Sequence, residues 1–485
     1  MRKIAVVTLT MVVAVLMTGC GGGGEDALIT ELPAGMDFYL TVSPEKVGMA
    51  RILEAVEESG LGGEPQLAAM GAALGFDPLD WDEWVGAMGL DPQGEIGFAG
   101  YMAGGEMTAL ALFLPVTDSQ ALQSFLELVP EEAPMEAGQW REGWWAVYFS
   151  EVPQQLQSIM EGAAEEGQLG EDPDFDSLWP AVSGPEAVAY MYLRAHGEND
   201  LEALLLSLEV DGTVARTMAA IVPSENEMLE GMEVMTRGPS GSEPGLPTGM
   251  DVVARSTVDM GAVADMASEQ MPPDANQGLA MMGFDSIDDM LGMFSGDSWA
   301  AVDLSGESVR GLVVIGLDDA EAMAGFLSRL SGFAAMGGQE IETIAEGGVT
   351  GYRIPLPPEV GPWPLEIGVS NSGLFILWGY SLGDVSGWSA EPASHEALGI
   401  DHQAPLYISG DLTDLRRHLP PGAEEFMPSA SRFAISMDAD GDALVLQGAL
   451  DTGSDNPLAE VFTGFLAGMS YGMPEPEEMG ERETQ

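Results

Sequence analysis

Hydrophobic and polar residues alternate with two different periods along the chain. From Met36 to Val42 every second residue is apolar, which predicts a strand with one packed face and one face toward polar surroundings. The residues that follow predict a helix, because Ser43 can cap it, Pro44 suits its first turn and Gly60 can end it. A strand followed by a helix is therefore the first predicted unit.

Further on, pairs of alternating stretches predict β-hairpins. Residues 96–102 and 107–114 flank one glycine-containing turn, and residues 299–304 and 309–315 flank another. The Asp211-Gly212 and Asp440-Gly441 pairs supply the positive φ that a tight hairpin turn needs. Hairpins join antiparallel strands, so the pattern leaves no room for repeated parallel crossovers.

Several sequence landmarks occur twice in the same order. Leu-Pro-Ala-Gly-Met-Asp at 32–37 recurs as Leu-Pro-Thr-Gly-Met-Asp at 246–251, and Gly-Phe-Asp at 75–77 recurs at 283–285. Later, Tyr190 corresponds to Tyr407. A repeat of about 210 residues is domain-sized and far longer than the units of solenoids. We therefore predict an α+β protein of two tandem homologous domains, each an antiparallel sheet with helices packed on one face.

Composition shifts along the chain set the predicted boundaries. The glycine- and proline-rich stretch between the copies has the chemistry of a linker, and the acidic end has that of a disordered tail. The predicted parts are a signal peptide at 1–19, a Gly-rich tether at 20–27, repeat 1 at 28–237, a linker at 238–245, repeat 2 at 246–472 and a tail at 473–485.

The N-terminus has the features of an export signal. Arg2 and Lys3 precede an apolar run that ends near Met17, which is shorter than the roughly 20 residues of a transmembrane helix. The sequence Leu-Met-Thr-Gly-Cys at 16–20 resembles the lipobox of bacterial lipoproteins. This resemblance implies that Cys20 is lipidated and becomes the first residue of the mature protein, so that membrane lipid is its partner. Gly21 after the cysteine favours the outer membrane, by similarity to enterobacterial sorting.

The opening of each copy adds a second resemblance. The Leu-Pro-Ala or Leu-Pro-Thr phrase, followed by a strand and a helix, resembles bacterial envelope lipoproteins of unknown function whose repeats begin in this way. The resemblance implies an extracytoplasmic α+β protein and carries over no site residue.

Composition and charge exclude several classes of protein. The 485 residues include 79 Asp and Glu against 16 Lys and Arg, a formal net charge of -63. Nucleic acid is a poor partner, because its binding depends on Lys and Arg that neutralise phosphates. A hydrophobic content of 46% still allows sizeable cores, unlike that of a disordered chain. So much negative charge predicts a fold whose stability depends on salt.

Catalytic and zinc motifs are incomplete. Gly-Met-Ser-Tyr-Gly at 468–472 matches the nucleophile elbow around Ser470, but the last histidine, His418, precedes it, whereas the elbow's histidine follows the serine. The four histidines form no H-E-x-x-H motif and Cys20 has no second cysteine as a partner, so the usual ligand spacing of a zinc site is missing. For metals, the sequence leaves Asp172, Asp174 and Asp176 as candidates for Ca²⁺ or another hard cation, weakly bound. Asp438 to Asp442 is better explained as the tip of a hairpin.

Sulfur and indole side chains allow two interpretations each. Met228, Met232 and Met235 have the spacing of a packed helix face, which we favour over Cu(I) ligation. Two tryptophan clusters could stack on sugars, although edge or core packing is favoured; they are Trp81 with Trp84, and Trp140 with Trp144 and Trp145.

The sequence therefore favours a non-enzymatic, lipid-anchored extracytoplasmic protein that acts as a binding or structural module, with enzymatic activity left open. One alternative is a carrier or chaperone for an apolar ligand, with a Met- and Trp-lined cavity. The other is a hydrolase of envelope polymers, which requires acids that converge with a histidine or a metal.

Overall fold

The structure is a computed structural model of the chain. It describes residues 27–58, 71–72, 74–103, 106–128, 135–150, 167–184, 186–194, 201–223, 246–247, 249–272, 275–306, 308–336, 340–357, 362–371, 373–388, 398–401, 403–415, 418, 432–440 and 443–458.

The chain divides into two compact units. Unit 1 comprises residues 1–224, 420–430 and 450–485, and unit 2 comprises residues 225–419 and 431–449. The late segment belongs to unit 1 through hydrogen bonds. The Thr213 hydroxyl donates to Asp451 at 2.8 Å, and the Thr452 N–H donates to the Thr213 carbonyl at 3.0 Å.

Within unit 1, eight antiparallel strands pair in the order β4-β5-β3-β2-β1-β6-β7-β8. Its strands are β1 Phe38–Val42, β2 Ile96–Ala103, β3 Glu106–Pro115, β4 Met135–Arg141, β5 Trp144–Ser150, β6 Ala187–Arg194, β7 Leu201–Asp211 and β8 Val214–Pro223. Its helices are α1 Leu28–Glu31, α2 Pro44–Val47, α3 Met49–Glu58, α4 Trp81–Met88, α5 Ser119–Leu126 and α6 Pro173–Val182, with a 3₁₀ turn at Leu169–Glu171.

Both faces of the central strand β1 are buried. Phe38, Leu40 and Val42 pack with residues of α2 to α5 in a hydrophobic core. On the other face, Tyr39 and Thr41 are fully buried, although the sequence pattern predicts polar surroundings for them. That face is covered by α6, whose Phe175 ring lies 5.3 Å from the ring of Tyr192 on β6.

Within unit 2, nine further antiparallel strands pair in the order β12-β13-β14-β15-β11-β10-β9-β16-β17. They are β9 Val252–Thr257, β10 Phe294–Asp303, β11 Arg310–Leu317, β12 Glu342–Glu346, β13 Val349–Ile354, β14 Leu365–Ser370, β15 Gly373–Trp378, β16 Leu406–Asp411 and β17 Arg432–Asp440. A last strand, β18 Ala443–Asp451, begins in unit 2 and ends in unit 1. The helices are α7 Met260–Gln270, α8 Ala275–Met282, α9 Ile287–Leu291, α10 Ala320–Met336 and α11 Leu412–Leu415, with a 3₁₀ turn at Leu382–Gly387.

The unit 2 sheet is also covered on both faces. One face packs under the helices, with Val369 and Leu374 in a cluster that includes Met323 of α10. The opposite face packs under the 3₁₀ turn, where Leu382 joins Phe375 and Leu377 in a separate core.

The predicted fold class is therefore wrong. The described residues contain eighteen strands, and most of the helices are short. Antiparallel sheet dominates, and each sheet carries covering segments on both faces instead of helices on one. The prediction failed because Tyr39 and similar amphipathic residues suit a solvated face as well as a buried one.

The order of seven strands recurs between the units. Strands β4-β5-β3-β2-β1-β6-β7 of unit 1 correspond to β14-β15-β11-β10-β9-β16-β17 of unit 2, which has an extra hairpin, β12–β13, at its edge. Tyr190 lies opposite Thr41, and Tyr407 lies opposite Arg255. The recurrence is what a duplication predicts, while the predicted domain limits remain predictions. None of the described helices is long and apolar enough to cross a membrane.

Candidate binding groove

A groove opens at one end of the helix-covered face of unit 2. Strand register places Gly311, Trp378 and Leu365 in one row across β11, β15 and β14. Two rows further along the same strands, Ile315, Leu374 and Val369 lie under the helices. Trp378 and Leu365 remain half-buried and line a groove of about 490 Å³. We call it the tryptophan groove, lined by Ser308, Val309, Leu356, Pro362, Trp363, Leu365 and Trp378.

Prolines restrict the backbone that forms the outer wall of the tryptophan groove. Trp363 stands between Pro362 and Pro364, and Leu356 stands between two further prolines at 355 and 357. Each proline fixes its own φ and restricts the residue before it to extended conformations. The segment therefore presents Trp363, which is 40% exposed, with little backbone freedom to fold it away.

Because Gly311 has no side chain, the indole of Trp378 has room to form the floor of the groove. Gly311 lies directly beside Trp378 on the neighbouring strand, and a Cβ atom at position 311 would overlap the indole ring. The glycine thus allows the indole to lie flat over β11.

Charged groups lie on the opposite face of the sheet. Arg310 pairs with Asp303, and its guanidinium lies 5.0 Å from the ring centroid of Tyr380. Burial and the neighbouring Asp303 carboxylate raise the pKa of Tyr380 to about 12, so its hydroxyl stays protonated and donates to Asp303 at 3.2 Å. Because side chains alternate along β11, none of this charge faces the groove, and the described residues that line it are apolar except for Ser308 and the indole N–H groups of the two tryptophans.

Helix α10 leaves apolar side chains exposed on the groove's side of the sheet. Its Met323 is buried and its Phe326 packs partly against the same cluster. Further along, Leu330, Phe333 and Met336 are 41, 50 and 77% exposed. Exposed large hydrophobic residues in a group are typical of an interaction surface.

A buried polar network lies on the other face of unit 2. Arg255 is only 2% exposed, and its guanidinium donates to the Thr257 hydroxyl at 3.3 Å and lies 5.2 Å from the ring of Trp299. The Thr257 hydroxyl in turn donates to Asp297 at 3.2 Å. Arg255, Thr257 and Asp297 are all buried, so their contacts form no open site.

In unit 1, α1 is fixed to the sheet by polar contacts at both ends. The Leu28 N–H donates to Glu95 Oε2 at 3.0 Å. Glu31 pairs with Arg141, whose guanidinium lies between Trp140 and Trp144 at 4.7 and 4.8 Å from the ring centroids. Trp140 and Trp144 therefore pack against the Arg141 guanidinium.

The predicted cation ligands have other partners. The Asp172 carboxylate caps α6 by accepting the N–H groups of Asp174 and Phe175 at 3.0 and 3.2 Å, and it pairs with Arg194. Asp174 lies 4.0 Å from the same guanidinium. No cluster of three or more His, Cys, Asp or Glu side chains suited to a metal occurs within the described ranges. The candidate site of Asp172, Asp174 and Asp176 stays a prediction.

Other predicted residues have the following positions. Trp84 packs on the unit 1 core and donates from its indole N–H to the Pro78 carbonyl at 2.9 Å. His418 Nε2 lies 2.7 Å from the Leu304 carbonyl oxygen. Outside the described residues lie Cys20, Ser470, the stripe of Met228, Met232 and Met235, and the tail.

The sequence analysis did not find the tryptophan groove. Its signal is the proline-rich stretch at 355–364, which also has the composition of an ordinary loop. Only the tertiary structure brings Leu356, Pro362 and Trp363 of that stretch beside Trp378 and Val309.

Comparison with known proteins adds little. No protein-family model matches the chain, and no curated protein matches it. Among solved structures, crystal form III of TP0453 has 10% sequence identity, a TM-score of 0.27 and coverage of 44% of this chain and 89% of its own. Form IV has 12% identity, a TM-score of 0.24 and coverage of 40 and 79%, and form I has 10%, 0.25, 42 and 82%. TM-scores this low carry no argument about fold or function.

Proposed function

We propose that the protein is a lipid-anchored, extracytoplasmic binding protein without catalytic activity, and that it binds an apolar ligand in the tryptophan groove. The lipobox-like sequence before Cys20 supports the anchor and the location. The open groove supports the carrier alternative.

The proposal rests on one observation, an apolar groove that is open to solvent and whose wall is restricted by prolines. Small-molecule sites have volumes of about 300 to 1,000 Å³ and mostly apolar walls, and the tryptophan groove has both properties. The prolines beside Trp363 and Leu356 reduce the conformational entropy that binding would otherwise cost. In the described residues, no observation favours the hydrolase, because His418 is bound to a backbone carbonyl and the groove is lined by no acid.

The contribution of Trp363 can be estimated from its exposure. Covering the exposed 40% of an indole side chain removes about 100 Å² from water, if the whole side chain presents about 250 Å². At about 25 cal/mol per Å² this stabilises the complex by about 2.5 kcal/mol, or roughly fifty-fold in affinity.

The test is a fluorescence titration of the purified protein with Nile red, a neutral apolar dye. We expect saturable binding that Trp363→Ala weakens by between about tenfold and fifty-fold. The matched control is Phe333→Ala, which removes from α10 an aromatic side chain that is 50% exposed, against 40% for Trp363, and should leave the affinity unchanged. Equal affinities in the native protein and Trp363→Ala would refute the proposal.

The anchor has a separate test. Mass spectrometry of the protein extracted from membranes should find an acylated Cys20 as the N-terminal residue. An uncleaved Met1 or an unmodified Cys20 would contradict the proposed location without affecting the groove.

A further inference from the structure

We infer that the ligand of the tryptophan groove is an acyl chain of a phospholipid in the membrane to which the protein is anchored. The inference rests on the proposed function, because it takes the anchor at Cys20 as its starting point.

The scarcity of polar groups along the groove favours a hydrocarbon chain over a peptide as its ligand. A bound peptide brings a backbone N–H and C=O at every residue, and each of them costs free energy when it is buried without a partner. Among the described residues that line the groove, Ser308 carries the one hydroxyl and none is charged. An acyl chain needs no hydrogen-bonding partner.

The exposed apolar side chains at the end of α10 favour a membrane lipid over a small soluble molecule as the ligand. Leu330, Phe333 and Met336 project from a helix that packs on the same sheet face as the groove row. A soluble ligand inside the groove would leave these side chains in water. A membrane surface covers them and supplies the chain that enters the groove.

Because the proposed anchor keeps the protein at the membrane, a weak affinity for lipid is sufficient to fill the groove. Six residues, 21–26, separate Cys20 from the first described residue. Attachment to the membrane at Cys20 raises the effective concentration of lipid at the protein. The large negative charge of the chain favours neutral headgroups over anionic ones.

The test is photo-crosslinking with the full chain in phosphatidylcholine vesicles. The lipid carries a diazirine on its acyl chain; light expels N₂, and the resulting carbene inserts into nearby bonds. Peptide mass spectrometry then locates the attachment. We expect labelling of peptides that contain Val309, Trp363 or Trp378.

Two charged variants give a matched comparison. Val309→Asp places a carboxylate in the groove at a side chain that is 41% exposed, and it should reduce groove labelling by about tenfold or more. Ile435→Asp places the same charge at a side chain of β17 that is 45% exposed and lies outside the groove and α10, and it should leave groove labelling intact. If Val309→Asp loses its fold, as judged by circular dichroism, Trp363→Ala replaces it, with reduced groove labelling expected.

The outcomes separate this inference from the proposed function. Labelling confined to α10 or to the region of Cys20, together with normal Nile red binding, overturns the acyl-chain assignment and leaves an apolar-ligand site. Loss of both labelling and Nile red binding overturns both proposals. Labelling by free photoreactive fatty acid but not by the phospholipid also overturns the assignment to bilayer lipid.

Discussion

Replacing Glu95 by glutamine is expected to stabilise unit 1 at neutral and alkaline pH. Burial is the main cause that raises the pKa of Glu95 to about 7 from an ordinary 4.5. The hydrogen bond from the Leu28 N–H and the charges of Lys46 and Arg141 oppose that rise, whereas Glu31 adds to it. The folded protein therefore pays a free-energy penalty when Glu95 ionises.

The direction of the pH dependence follows from proton binding. Between pH 4.5 and about 7 the unfolded chain has lost the proton of Glu95 while the folded protein keeps it. The unfolded state binds fewer protons in this interval, so the free energy of unfolding falls as pH rises. At about 1.4 kcal/mol per pH unit, the loss amounts to about 3 kcal/mol over the interval, and it is complete above about pH 7.

The assay is urea unfolding of the native protein and of Glu95→Gln at a series of pH values and constant ionic strength. We expect Glu95→Gln to be more stable by about 2 to 3 kcal/mol near pH 8 and nearly equal to the native protein near pH 4.5. Because two units need not unfold together, amide hydrogen exchange of residues 28–36 gives a local readout for α1.

The control removes the same charge from an exposed position of the same unit. Glu186→Gln reduces the overall negative charge equally at an exposed side chain and should change the free energy of unfolding by less than about 0.5 kcal/mol. A stability difference for Glu95→Gln that stays constant from acid to alkaline pH would refute the reasoning, as would a destabilisation near pH 8.

Two further predictions concern the acidic surface and α6. The melting temperature should rise between dilute buffer and about 1 M NaCl, because the Debye length shrinks from about 10 to about 3 Å and screens the net charge of -63; an unchanged melting temperature would contradict it. Asp172→Ala should destabilise unit 1 by about 2 to 3 kcal/mol, because it removes a helix cap and the partner of Arg194. Asp174→Ala is its control, since that carboxylate is 72% exposed and should contribute less than about 1 kcal/mol; equal losses in urea unfolding would show that Asp172 has no special role.

Local patterns in the sequence predicted the strands and hairpins well. The hairpin at 96–102 and 107–114 is confirmed as β2 and β3, and the Asp211-Gly212 turn joins β7 to β8 with a φ of 60° at Gly212. These features depend on residues that are neighbours in sequence, where alternation and turn chemistry act directly.

The covering of the sheet faces was not predictable in the same way. Tyr39 has a polar group and a large apolar ring, so its burial depends on whether the hydroxyl finds a partner. In the fold that oxygen accepts the Met36 N–H at 2.7 Å, and the ring lies 6.0 Å from the ring of Tyr192 on the neighbouring strand β6. Only the tertiary structure provides both conditions.

The tryptophan groove shows why a repeated sequence does not imply a repeated site. Strand correspondence aligns Gly311 and Trp378 of unit 2 with Leu110 and Phe149 of unit 1, which also face each other across two strands. Leu110 is 4% exposed, so a buried side chain occupies the row at the position where unit 2 has a glycine. A single glycine therefore allows the indole of Trp378 to lie over its neighbouring strand, and the proline-held Trp363 forms the wall that faces it. The groove is therefore proposed for unit 2 because its residues differ at this row of the sheet. The order of the surrounding strands is the same in both units.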